Sequence, residues 1–226
     1  MVYHLKIWQK TINAHKQKIL ILISLSLFFS LQGYLFLRLK AEHFYYQAKE
    51  NISYIEKLDN SLITKKISLC RKVLDRLDKA IQLNPLDADY YFTSAKILLE
   101  IFSGKDIFDI IELKGIKNKD DFFRLLEFQS NKAITLNPLN ADYYLLSGYI
   151  SHLKGNLEEA QLKFRKAYLL DPHNINNIIY ISEYFLNNNK LEDALYYFEK
   201  VKNICTDISY SFDACKELEN LKSKLP

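Results

Sequence analysis

The sequence predicts an all-α chain in which one membrane-crossing helix precedes a stack of about four helical hairpins closed by a C-terminal helix. Three observations predict it. Between Lys18 and Arg38 lie 19 residues, ILILISLSLFFSLQGYLFL, with no charge among them. Further on, KAIQLNPLDADYYFTSA (79–95) and KAITLNPLNADYYLLSG (132–148) agree at 12 of 17 positions, an internal duplication of the kind that repeat architectures show. Apolar residues in the duplicated region recur at intervals of three and four, the period of an amphipathic helix. With 226 residues, 49% of them hydrophobic, and only five Gly and four Pro, the chain can bury an ordinary core and is neither collagen-like nor of low complexity.

The charges divide at the end of the apolar run. The net charge is +4, from 31 basic and 27 acidic residues. Residues 1–40 hold Lys6, Lys10, Lys16, Lys18, Arg38 and Lys40 and no acid, so the rest of the chain is left mildly acidic. The basic balance is therefore local, and nothing in the remainder suggests a nucleic-acid footprint.

As a helix rising about 1.5 Å per residue, the 19-residue run spans about 30 Å, the hydrocarbon thickness of a bilayer. Its only interruptions are Ser24, Ser26, Ser30, Gln32 and Gly33. A buried helix of a soluble domain rarely runs this far without a charged face. A cleaved signal peptide has a shorter apolar region and a small-x-small site after it, and no Cys follows to accept lipid. Residues 19–39 thus read as a retained signal anchor after a basic segment, 1–18, on the cytoplasmic side. Lys6, Lys10, Lys16 and Lys18 before the span outnumber Arg38, Lys40 and Lys49 after it, which orients the N-terminus inward and residues 41–226 outward. Within 2–17, Val2, Leu5, Trp8 and Ile12 have helical spacing and suit a helix lying in the headgroup layer, or simply a basic leader to the span.

The repeats come next. A third, more diverged copy, KAYLLDPHNINNIIYIS (166–182), keeps Ala167 and Pro172 at the offsets of Ala80 and Pro85 and of Ala133 and Pro138. Pro138 and Pro172 are 34 residues apart. Residues 141–174 resemble a complete tetratricopeptide repeat (TPR), with Tyr144, Gly148, Gly155, Ala160, Phe164, Ala167 and Pro172 in the family's places. Ser147 and Ser151 depart from the Leu and Tyr usual in the first helix, which predicts looser packing there. Residues 175–208 resemble a further repeat through Leu191, Ala194, Phe198 and Val201, with Asn189 for the turn Gly and Ile178 for the early aromatic. Residues 88–140 resemble one stretched by an insertion near 103–121, and 41–87 a degenerate first repeat whose first helix continues from the span. The resemblance implies a right-handed solenoid over 41–226, and Ala214, Leu218 and Leu221 among charged residues suit a capping helix at 209–224.

Local signals agree with this plan. Leu157, Ala160, Phe164, Ala167 and Leu170 make one apolar stripe in which small and large residues alternate, as close helix packing requires. Pro85, Pro138 and Pro172 end the preceding helices, and Asp87, Asn140 and Asn174 then cap the next ones. Asn156 with Glu159, and Asn189 with Glu192, have capping-box spacing.

Chemistry-bearing motifs are sparse. Cys70, Cys205 and Cys215 show no C-x-x-C and no metal-ligand spacing with the five scattered His. In an oxidising compartment Cys205 and Cys215 can bridge the connection to the terminal helix. No Walker loop or nucleophile elbow occurs. Glu158 and Glu159 sit in a first helical turn, where the dipole favours them as plain surface carboxylates. These features predict no enzyme, no cofactor and no metal. Resemblance to TPR proteins instead implies a concave groove lined by Phe92, Lys96 and Leu99, by Leu145, Tyr149 and His152, and by Ile179, Glu183 and Leu186. Phe92, Leu145 and Ile179 stand where the family's carboxylate-binding grooves present Lys and Asn, so an apolar partner segment is the better fit. The layout is similar to that of bacterial inner-membrane TPR proteins that accompany membrane machinery, which implies a scaffold for a protein partner or, alternatively, a structural subunit of a large membrane complex.

Overall fold

A computed structural model describes residues 2–58, 63–103, 116 and 118–207. These form eight α-helices, with no strand among the described residues. The chain divides into two units, residues 1–85 and 86–226.

The first unit is a long helix packed on a shorter one. Helix α1 runs unbroken over Val2–Glu56 and α2 over Ile63–Leu83. Ala41, Tyr45, Ala48 and Ile55 of α1 are buried at helical spacing and meet a matching stripe of Cys70, Val73, Leu74, Leu77 and Ala80 in α2. The Arg76 guanidinium donates to the Gln47 carbonyl oxygen (2.9 Å), and the Lys79 ammonium stands over the Phe44 ring, 5.7 Å from its centre. Upstream, α1 behaves differently. Every side chain from Leu20 to Lys40 is exposed, including Leu22, Leu27, Phe29 and Phe36. The helix from Leu20 onward holds an 18-residue window of mean hydropathy 2.0, long and apolar enough to cross a bilayer, and none of that window is buried.

The second unit is built from three helical pairs. They are α3 (Ala88–Ser103) with α4 (Lys119–Leu136), α5 (Ala141–Leu153) with α6 (Leu157–Leu170), and α7 (Ile175–Asn187) with α8 (Leu191–Asp207). Each pair buries a stripe from both members, and further contacts join α4 to α5 and α6 to α7. Phe164 is the central side chain of the best-defined pair. It is fully buried in a cluster with Ala160, Ile178, Ile181, Tyr184 and Phe185, and its ring centre lies 4.5 Å from that of Tyr184. Gly148 makes room for it, because a Cβ there would come within 2.7 Å of the Phe164 ring.

Turn chemistry explains where the helices stop. After α5 the Gly155 N–H donates to the His152 carbonyl and the Asn156 N–H to that of Ser151, both at 2.9 Å, a Schellman closure with Gly155 at φ 85°. After α7 the same two bonds form from Asn189 to Leu186 and from Lys190 to Phe185, with Asn189 at φ 56°. Asn replaces Gly there because its short polar side chain tolerates the left-handed region. Asp87, Asn140 and Asn174 cap α3, α5 and α7 as expected, each side-chain oxygen accepting a first-turn backbone N–H at 3.0–3.2 Å. The capping boxes do not form as read. Asn156 makes no side-chain cap bond, and Asn189 is held in the left-handed turn one residue too early to cap α8.

The serines at the places usual for Leu and Tyr lie inside. Ser147 and Ser151 are fully buried. The Ser151 hydroxyl donates to the Ser147 carbonyl (3.1 Å) and accepts from the Lys163 ammonium (3.1 Å), which also pairs with Glu159 at 2.7 Å. That lysine, with help from Asn156 and Ser151, holds the Glu159 carboxyl below the usual carboxylate range.

Three expectations fall wholly or partly on residues outside those described: the capping helix at 209–224, the Cys205–Cys215 bridge through Cys215, and most of the insertion near 103–121. At the edge of the insertion, Ile116 is buried and Asn118 caps α4, its side-chain oxygen accepting the Asp121 N–H at 2.8 Å.

Gly148→Ala should destabilise the second unit by about 1–3 kcal/mol, since the fully buried Phe164 ring must shift to admit a Cβ; urea unfolding followed by circular dichroism measures it. The depressed Glu159 group contributes stability that is present above the ordinary carboxylate pKa and lost as pH falls through its lowered folded value. Being solvent-accessible, the ion pair is worth at most about 1 kcal/mol. Glu159→Gln should therefore cost little at neutral pH and flatten the acid limb of a melting-temperature profile below about pH 4.

Candidate interaction wall on the first helices

Helices α3, α5 and α7, the first of each pair, are linked side by side through their side chains. The Tyr143 hydroxyl of α5 donates to the Asp89 carboxylate of α3 (2.5 Å). One repeat on, the Asn177 amide of α7 donates to the Asp142 carboxylate of α5 (2.9 Å). Tyr143 and Asn177 occupy the same repeat position, as do Asp89 and Asp142, so one bond recurs with a different donor. Aromatic contacts reinforce it: Phe92 packs against Tyr143 with ring centres 5.0 Å apart, Tyr149 meets Tyr180 edge-on at 5.7 Å, and His152 meets Tyr184 edge-on at 5.0 Å.

The residues expected to line a groove separate by depth on this wall. Leu99 and Ile179 lie in the interior between the helices, only 7% and 5% exposed, and have almost no surface to offer. Phe92, Leu145, Tyr149, His152 and Leu186 are half-buried, Phe92, Tyr149 and His152 against rings of the next first helix and Leu145 and Leu186 against the core cluster. Lys96 is exposed and stands 3.9 Å from Glu100. Glu183 is half-buried beside Tyr180. Burial, the neighbouring Tyr149 and the Glu183 carboxylate together push the Tyr180 hydroxyl well above the ordinary phenol range, so it stays a neutral donor. Tyr180 is a wall residue that sequence phase alone did not single out. The Tyr149–Tyr180 contact is what makes it one.

Three pairs of adjacent tyrosines, 90–91, 143–144 and 196–197, recur in the repeats; Tyr90, Tyr91, Tyr143 and Tyr197 are buried, Tyr144 is half-buried and Tyr196 is exposed. Tyr196 borders an open cleft of about 350 Å³ between α6 and α8, lined also by Arg165, Tyr168, Leu169, Asp193 and Tyr197. Arg165 bridges to Asp193 across it at 3.3 Å, and the Lys200 ammonium covers the Tyr196 ring at 4.9 Å. Burial pushes the Tyr197 hydroxyl up to about 12, against the pull of Arg165. The cleft's charges are thus largely satisfied from within. Among the described residues no three metal-ligating side chains come together.

No protein-family model matches the sequence, and comparison with curated proteins gives no match. Solved structures do resemble the fold. The TPR domain of Arabidopsis OM64 aligns over 74% of this chain and 98% of its own, at 17% identity and a TM-score of 0.46. MamA from Desulfovibrio magneticus RS-1 aligns over 78% and 97%, at 16% identity and a TM-score of 0.50. A crystal structure of MamA aligns over 82% and 81%, at 18% identity and a TM-score of 0.51. The chain's own geometry agrees with the MamA likenesses, in its paired helices, the last two pairs 34 residues apart, its Schellman turns before the second helix of those two pairs, and its row of linked first helices. The chain has the tetratricopeptide-repeat fold.

Proposed function

We propose that this chain is a membrane-anchored scaffold that binds a protein partner on the α3–α5–α7 wall and supports assembly of a membrane or envelope complex. The wall carries the reading: it presents the edges of Phe92, Leu145, Tyr149, His152 and Leu186 on helices locked to one another, a preorganised apolar surface that loses little freedom on binding. Anchoring is supported by the uncovered apolar stretch of α1, whose large side chains have no protein to bury them. In this reading residues 19–39 span the membrane, 1–18 stay in the cytoplasm and the repeats face outward.

A second reading follows from the same helix. Twenty-one consecutive exposed residues of α1, 20–40, also suit lateral contacts with other membrane helices, as in a structural subunit held mainly by its span. Replacing residues 1–40 with an unrelated anchor should leave partner recovery intact in the scaffold reading and abolish assembly in the subunit reading.

Tyr149→Ala and Leu145→Asp should each lower recovery of the native partner in mild-detergent pull-downs by about tenfold, the effect of removing an interface anchor worth above 1 kcal/mol. An unchanged melting curve for Tyr149→Ala is the folding control, and unchanged recovery from both variants overturns the wall. For orientation, a thiol introduced at Ser223 should react with an impermeant maleimide in intact spheroplasts; labelling only after lysis reverses the topology.

A further inference from the structure

The two sets of helices differ in how they carry charge. The second helices, α4, α6 and α8, hold 17 charged residues, eight basic and nine acidic. Many are matched locally, as in Arg124 with Asp121, Lys163 with Glu159 and Arg165 with Asp193. The first helices, α3, α5 and α7, hold only five: Asp89, Glu100, Asp142, Glu183 and Lys96. Lys96 faces Glu100. The other three carboxylates have no ion pair among the described residues, although neutral donors fix two of them, Tyr143 on Asp89 and Asn177 on Asp142. Each is an isolated negative charge beside apolar and aromatic edges, where the local dielectric is lower than water and attraction to a cation is correspondingly stronger.

We propose that the wall receives an apolar segment bearing isolated Lys or Arg side chains, with Asp89, Asp142 and Glu183 as their counter-charges and the edges of Phe92, Leu145 and Tyr149 as the apolar seat. This rests on the scaffold reading of the same wall and adds the chemistry of the partner. An acidic segment is repelled. The three carboxylates are not equivalent. Asp89 and Asp142 lie in first helical turns, where the helix dipole offsets part of their charge, about half a unit at most. Glu183 lies in the interior of α7, away from that offset, and so contributes most to discrimination.

The test uses the full chain in zwitterionic nanodiscs and fluorescein-labelled peptides of one Leu/Ala pattern whose polar positions are all Lys, all Gln or all Glu. Fluorescence anisotropy should rank the Lys peptide tightest and the Glu peptide weakest, with the gap closing at high salt. Glu183→Gln should weaken the Lys peptide about two- to fivefold, the scale of one partly exposed charge pair, and leave the Gln peptide unchanged. Glu183→Lys should move the preference toward the Glu peptide, and Tyr149→Ala should weaken all three alike. If Tyr149→Ala weakens binding while Lys and Glu peptides bind equally, the charge proposal fails and the scaffold reading stands. If Tyr149→Ala changes nothing, or no peptide binds, both fail at this wall. A dimer in light scattering that Glu183→Lys dissociates puts a second copy on the wall and overturns the proposal.

Discussion

The seating of Phe164 is the constraint on which the second unit most depends. Its ring fills the space between α5, α6 and α7, and that space exists because Gly148 has no side chain and because Ala160 and Ala167 keep the backbone of α6 close to its neighbours. The ring also meets Tyr180 and Tyr184 of the next pair, at 6.3 and 4.5 Å. One side chain therefore connects the interior of one repeat to the first helix of the next. Displacing it disturbs two interfaces together, which is why a change as small as one methyl group at Gly148 matters there.

The wall inherits its order from that packing. Tyr180 and Tyr184 rest on Phe164 on one side and hold Tyr149 and His152 on the other. The surface a partner would meet is thus one layer away from the core, with little rotamer freedom left in its aromatic edges. Charge follows a different logic. The second helices face solvent broadly and carry balanced charge, whereas the first helices spend their length on neighbours and keep only a few carboxylates.

Much of this was legible in the residues. The duplicated segments and the Ala-Phe-Ala stripe identified the pairs, and Asp87, Asn140 and Asn174 marked the starts of α3, α5 and α7. What escaped was depth and polar compensation. Leu99 and Ile179 share a helical phase with half-exposed neighbours, yet how far a side chain sinks depends on the approach of the adjacent helix, which phase does not encode. The polar bonding of Ser151 was not legible because its lysine partner comes from another helix, 12 residues beyond it. Asn189 looked like a cap because the sequence pattern shows a capable side chain, while the backbone uses it for a positive φ.

The unbroken course of α1 has a mechanical consequence. Over 55 residues there is neither a proline nor a loop between the exposed apolar stretch and the stripe of Ala41, Tyr45, Ala48 and Ile55 that packs on α2. Each added or deleted residue in a helix rotates everything beyond it by about 100°. The rotational phase of the exposed apolar stretch is therefore locked to the direction in which α2 is carried. Such a helix acts as a shaft more than a tether: tilt or rotation imposed on its apolar stretch is passed on to the first hairpin.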